Sequence, residues 1–133
     1  RTSSQVFLKT NNDLLRKIDN IVYGYLQIPI EHYEDLQVVN YKSTQRYNAH
    51  YDACDPSDEI CQKDTEQMGS LRYATFIIYL NDNFTGGETK VADEIIQPKA
   101  GTIITFQGNK IQHEVLPVVE GIRYNVLVWY KCY

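Results

Sequence analysis

The feature that most constrains this chain is a change of period near residue 36. Before it, Leu14, Leu15, Ile18, Ile21, Val22 and Tyr25 fall at offsets of three and four, one face of an amphipathic helix over residues 12–27. Asn11 or Asn12 suits its N-cap, Pro29 closes it, and a helical turn fits Glu31–Asp35. After it, short β-branched and aromatic runs follow one another: Leu36–Tyr41, Tyr47–Asp52, Tyr73–Leu80, Glu88–Val91, Glu94–Gln97, Thr102–Phe106, His113–Val118 and Arg123–Tyr130. Asn81-Asp82-Asn83, Gly86-Gly87 and Pro98-Lys99-Ala100-Gly101 supply the turns between them. Short strands after a helix predict a mainly β fold, an antiparallel jelly-roll barrel with the helix packed outside. The long polar connection, residues 52–70, reads as a lid or binding loop.

Size and charge narrow the function classes. At 133 residues the expectation is a single domain spanning 1–133. No apolar run reaches the roughly 18 residues of a membrane span, and no signal-peptide pattern opens the chain. A net charge of -4 and the lack of a basic stripe argue against a nucleic-acid partner. Cys54, Cys61 and Cys132 are too few for a disulfide scaffold. A Cys54–Cys61 bridge and three reduced thiols both remain open.

His50 and Asp52 are two residues apart at the end of an expected strand, so both point to one face. Alone, such a pair equally describes a surface hydrogen bond. His113, on a later strand, adds a third donor. Two histidines and one carboxylate suit non-haem Fe(II) and leave positions open for other ligands. A structural zinc site would instead close its coordination, usually with cysteine. Arg123 opens the apolar last strand and offers a planar fork for a carboxylate.

In this order and spacing the chain resembles the iron- and 2-oxoglutarate-dependent dioxygenases of the prolyl 4-hydroxylase group. The stretches that carry the likeness are Arg1-Thr2-Ser3-Ser4, which resembles the group's first core strand, Leu36–Tyr41 with Tyr47–Asp52, Arg72–Thr75 through Tyr79–Asp82 with Gly86-Gly87-Glu88-Thr89, Pro98–Phe106, His113, and Arg123–Trp129. The resemblance implies a double-stranded β-helix, a cupin-like barrel. It implies Fe(II) on His50, Asp52 and His113, with 2-oxoglutarate and dioxygen as co-substrates and ascorbate as reductant. Arg123 would pair with the distal carboxylate of 2-oxoglutarate, supported by the Tyr41 hydroxyl, with Thr75 and Trp129 lining that pocket. Tyr51 and Arg72 are candidate contacts to a proline-containing peptide or protein substrate.

The implied reaction hydroxylates a prolyl residue while 2-oxoglutarate becomes succinate and carbon dioxide. Alternatives are the same chemistry on another side chain or small molecule, or a non-catalytic peptide-binding jelly roll. The last predicts a missing ligand or anchor, and none is missing. Enclosure would need apolar walls, for which alternation suggests Ile77, Ile104, Val115 and Val126. Departures from the group's pattern are Arg123 where lysine is usual in collagen and plant members, Val91 for phenylalanine, and Lys131 for a histidine. A monomer and a homodimer packed through helix 12–27 both remain open.

Overall fold

The computed structural model describes residues 2–8, 13–28, 30–52 and 71–132. The 52–70 loop beyond Asp52, the Cys54–Cys61 pair and the Asn11/Asn12 cap lie outside the described residues, as do the side chains of Leu14, Leu15 and Cys132.

The elements run β1 (Ser4–Leu8), α1 (Asp13–Leu26), a 3-10 turn (Ile30–His32), β2 (Leu36–Tyr41), β3 (Tyr47–His50), β4 (Leu71–Tyr79), β5 (Thr85–Gly86), β6 (Thr89–Val91), β7 (Glu94–Ile96), β8 (Ile103–Phe106), β9 (His113–Val115), β10 (Val118–Glu120) and β11 (Arg123–Cys132). A five-stranded sheet has the order β1-β2-β11-β4-β8, and a four-stranded sheet the order β3-β9-β6-β7. A two-stranded pair, β10 with β5, completes them. Every pairing is antiparallel. The strands do not close into one continuous barrel among the described residues.

Three expectations change. The first strand is Ser4–Leu8 rather than residues 1–4, and it borders β2 at the sheet edge. Nothing in its mixed sequence marks it; the pairing partner does. The expected strand His113–Val118 is two short strands in different sheets, because Pro117 cannot donate to a ladder. The expected helical turn at residues 31–35 is the shorter Ile30–His32.

Helix α1 packs on the outer face of the large sheet. Among its described side chains the buried apolar one is Val22, with Ile18 and Leu26 against the same cluster. Ile21 and Tyr25, expected on the buried face, are 45% and 66% exposed, and Asp19 is buried instead. Gln27 ends the helix at φ 52°, its N–H donating to the Tyr23 carbonyl at 2.8 Å.

Two apolar clusters flank the large sheet. The outer one joins Val22 to Leu36, Ala74, Phe76, Val126, Val128 and Tyr130. The inner one holds Val39, Tyr41, Ile77, Tyr79, Ile104, Phe106, Val115, Val118, Leu127 and Trp129. Strand alternation makes the division: odd positions of β11 face inward and even ones face the helix. Val126, expected as an inner wall, therefore faces α1, and Leu127 takes the inner place.

Candidate active site

One pocket opens on the inner face of the large sheet. Its lining includes His50, Asp52, His113, Arg123, Tyr41, Thr75 and Trp129, together with Tyr47, Thr89, Asn125 and Leu127. The sequence reading missed the last four. Asn125 and Leu127 were within reach, since they alternate with Arg123 and Trp129 on one strand face.

His50 and His113 are cross-strand partners of β3 and β9. Asp52 lies just past the end of β3, where its backbone N–H donates to the Gly108 carbonyl at 2.8 Å. Its Oδ1 stands 3.3 Å from His50 Nε2 and 3.1 Å from His113 Nε2. One ligand atom from each of the three residues lies within 4.8 Å of the others.

The ring nitrogens facing away from this cluster define its chemistry. His50 Nδ1 meets the Asn48 carbonyl at 2.7 Å, and His113 Nδ1 meets the Ile111 carbonyl at 3.0 Å. A carbonyl accepts only, so each Nδ1 carries the hydrogen and donates. In the neutral rings both Nε2 atoms then present lone pairs toward the Asp52 carboxylate. Three electron-rich atoms converge, and a cation resolves their repulsion. The outer hydrogen bonds orient the rings as they do in metal sites. Nitrogen and oxygen donors without sulfur suit Fe(II) among first-row metals.

Burial pushes the Asp52 carboxyl up, but the hydrogen bonds from His113 and His50, the His113 charge and the Thr75 hydroxyl outweigh it and hold it well below the ordinary range. Burial likewise pushes His113 down, and its hydrogen bond to Asp52, that carboxylate's charge and the Ile111 carbonyl reverse the sign. Thr75 donates to Oδ2 of Asp52, which leaves Oδ1 for the histidines. Gly108 is shaped by the same contact. A Cβ there would lie 2.7 Å from Asp52 Oδ2 and would also strike Thr75 Oγ1.

Arg123 is the largest of the fully buried side chains among the described residues, at 1% exposure. Its Nη1 donates to the Gly87 carbonyl at 3.0 Å, its Nε has no partner, and no described carboxylate pairs with it. The Tyr41 and Tyr79 rings stand 5.2 and 4.8 Å from its Cζ. Burial pushes its pKa down, offset in part by the two tyrosines. A guanidinium nonetheless stays charged in a protein, so this buried cation calls for an anion from beyond the described residues. The Gly87 carbonyl reaches it because Gly86 and Gly87 turn the chain at φ 71° and 65°.

The remaining candidates lie as follows. The Tyr41 ring faces Arg123, and the two are cross-strand partners. Trp129 is 6% exposed with its Nε1 unpaired. Arg72 stacks on the Trp129 ring at 3.6 Å and makes a two-point ion pair with Glu34, at 2.6 and 3.2 Å. It is engaged within the chain, not free at the pocket mouth. Tyr51 is 53% exposed. Tyr47 stacks on His50 at 3.5 Å, and Tyr79 meets the Thr89 hydroxyl.

Comparison with known proteins follows the same lines. The model of the 2OG-Fe(II) oxygenase superfamily matches residues 36–131. An Acanthamoeba polyphaga mimivirus protein named “Putative prolyl 4-hydroxylase” is 31% identical over 142 residues, covering 98% of this chain and 58% of its own length. “Probable prolyl 4-hydroxylase 3” of Arabidopsis thaliana is 40% identical over 90 residues, 67% of this chain and 29% of that protein. This chain thus spans little more than half of one curated relative and less than a third of the other. The crystal structure of the viral collagen prolyl hydroxylase of Paramecium Bursaria Chlorella virus-1, in its 2OG complex, superposes with a TM-score of 0.80. That pair is 29% identical over 100% of this chain and 80% of the viral one. Its fold is the jelly roll expected from the strand pattern. Family model, relatives and superposed fold agree, and the chain belongs to the 2OG-Fe(II) oxygenase superfamily, within its prolyl 4-hydroxylase family.

Proposed function

We propose that residues 1–133 form a catalytic domain that hydroxylates prolyl residues in a peptide or protein, converting 2-oxoglutarate to succinate and carbon dioxide. The family uses Fe(II), 2-oxoglutarate and dioxygen, with ascorbate as its usual reductant. The observation that carries the reading is the pairing, in one pocket, of three converging metal donors with a buried guanidinium that has no carboxylate partner among the described residues.

When bound, iron supplies the activation of dioxygen against an unreactive C–H bond. His50, Asp52 and His113 hold the metal, and Thr75 orients the Asp52 carboxylate. Arg123 takes the distal carboxylate of 2-oxoglutarate against the Tyr41 ring. Ile77, Leu127 and Trp129 keep water from the interior. The prolyl substrate is supported by the relatives' names and by exposed Tyr51 and Tyr73, since proline segments in extended helices dock on aromatic surfaces. The Arg72 side chain is clamped by Glu34 and stacked on the Trp129 ring.

The test is incubation with Fe(II), ascorbate and 2-oxoglutarate, measuring succinate and peptide mass with and without proline-rich peptides. A gain of one oxygen that depends on iron and 2-oxoglutarate is expected. Succinate without peptide oxidation would move the chemistry to another side chain or a small molecule. No succinate from iron-loaded protein would overturn the enzymatic reading.

A further inference from the structure

Arg123, with its Nε unpartnered, is not alone in holding an unsatisfied polar atom on the inner face of β11. Asn125, two residues along, is 3% exposed and lines the same pocket. Its Oδ1 is buried without a hydrogen bond, and its Nδ2 reaches only the carbonyl of the next residue, Val126, at a long 3.4 Å. Its cross-strand neighbours cannot complete it. Val39 on β2 is apolar, and the Tyr79 hydroxyl on β4 is engaged by Thr89. Native proteins rarely leave a buried amide in this state unless something beyond the chain meets it.

Position says what that something is. Two residues of strand place Asn125 about 7 Å along β11 from Arg123. Thr75, the residue that meets Asp52, is paired across from Trp129, four residues further on. Asn125 therefore lies nearer the buried cation than the metal donors. A half-turn of its amide exchanges Oδ1 and Nδ2, giving up the long bond to the Val126 carbonyl and turning the donor to the side where Oδ1 is unpartnered.

We propose that Asn125 is a second anchor for the distal carboxylate of the co-substrate, its amide N–H donating to a carboxylate oxygen beside the Arg123 guanidinium. The inference rests on the dioxygenase reading above and deepens it. It makes Asn125 a residue that selects a 2-oxo dicarboxylate over a 2-oxo monocarboxylate. A charge-assisted bond of this kind is directional, which a bare cation is not.

The test titrates 2-oxoglutarate and 2-oxobutanoate, which lacks the distal carboxylate, into Mn(II)-loaded protein. Binding is followed by calorimetry and by fluorescence of Trp129, the single tryptophan of the chain. The expected result for N125L is a loss of about tenfold or more in 2-oxoglutarate affinity, with 2-oxobutanoate unchanged. N125D, which sets a carboxylate beside Arg123, should weaken 2-oxoglutarate further and again spare 2-oxobutanoate. It serves as the probe if N125L does not fold. Wild-type affinity for 2-oxoglutarate in a folded variant, or equal losses for both ligands, would overturn the proposal. Failure of the wild-type protein to bind 2-oxoglutarate at all would instead overturn the dioxygenase reading.

Discussion

The two faces of the large sheet treat buried polarity in opposite ways. On the outer face, α1 covers Phe76, Val126 and Val128, and burial there disfavours the charged forms of Asp19 and Tyr33. Burial pushes the Asp19 carboxyl up, and burial with the Asp19 and Tyr23 charges pushes the Tyr33 phenol up to about 12. On the inner face, Arg123 keeps its charge and has no carboxylate partner among the described residues. The contrast with Arg72 sharpens this. That arginine lies near the start of β4, stacked on Trp129 and held at two points by Glu34. One face is assembled for stability. The other carries an electrostatic cost that a ligand removes.

The largest expected effect is at the metal donors. His113→Ala removes one of three converging atoms and is expected to abolish iron binding and turnover with the fold retained, read by metal titration and circular dichroism. Unaltered iron affinity would take His113 out of the ligand set.

Next come two substitutions that should separate the faces. Phe76→Ala empties the outer cluster and should cost about 3–5 kcal/mol of stability, read by denaturant unfolding, without changing 2-oxoglutarate affinity in the folded protein. Arg123→Met should do the reverse. Breaking the pair between a buried cation and its anion costs about 3–5 kcal/mol, so 2-oxoglutarate binding falls by at least about a hundredfold. The ligand-free protein, relieved of an unpaired charge, should be as stable or more so. A stability loss for Arg123→Met comparable to that for Phe76→Ala would show that the guanidinium is partnered within the fold, and the contrast between faces would fail.

The smallest effect expected is at Gly108. An alanine there would sit 2.7 Å from Asp52 Oδ2 unless the carboxylate moved. Disturbing a group that orients a metal ligand lowers metal affinity about 10–100-fold. Gly108→Ala should fall near the lower bound, with thermal stability little changed, and equal iron affinity would show that the loop yields instead.

Much of this was legible along the chain. His50 and Asp52 stand two apart beside an expected strand, and Arg123 begins the last strand as read, because the strand period is local. The helix was legible in extent, 12–27 expected and Asp13–Leu26 found, but not in orientation. Ile21 and Tyr25 fit the apolar stripe yet remain exposed, while Asp19 is buried. A stripe wider than the surface available to cover it does not say which edge is left out.

The sequence by itself determined the strand run, the turns, the donor types and the family resemblance. Each follows from neighbours in the chain, where backbone geometry and side-chain chemistry act over a few residues. Only the tertiary structure decided that β1 borders β2, that Pro117 divides two sheets, and that Leu127 rather than Val126 faces the pocket. It alone showed that Gly108 makes room for Asp52, that Arg123 is buried without a carboxylate partner among the described residues, and that Asn125 Oδ1 is buried without a hydrogen bond. Those facts depend on which distant residues come within hydrogen-bonding reach, and pairing across the fold is set by packing rather than by any local stretch of sequence.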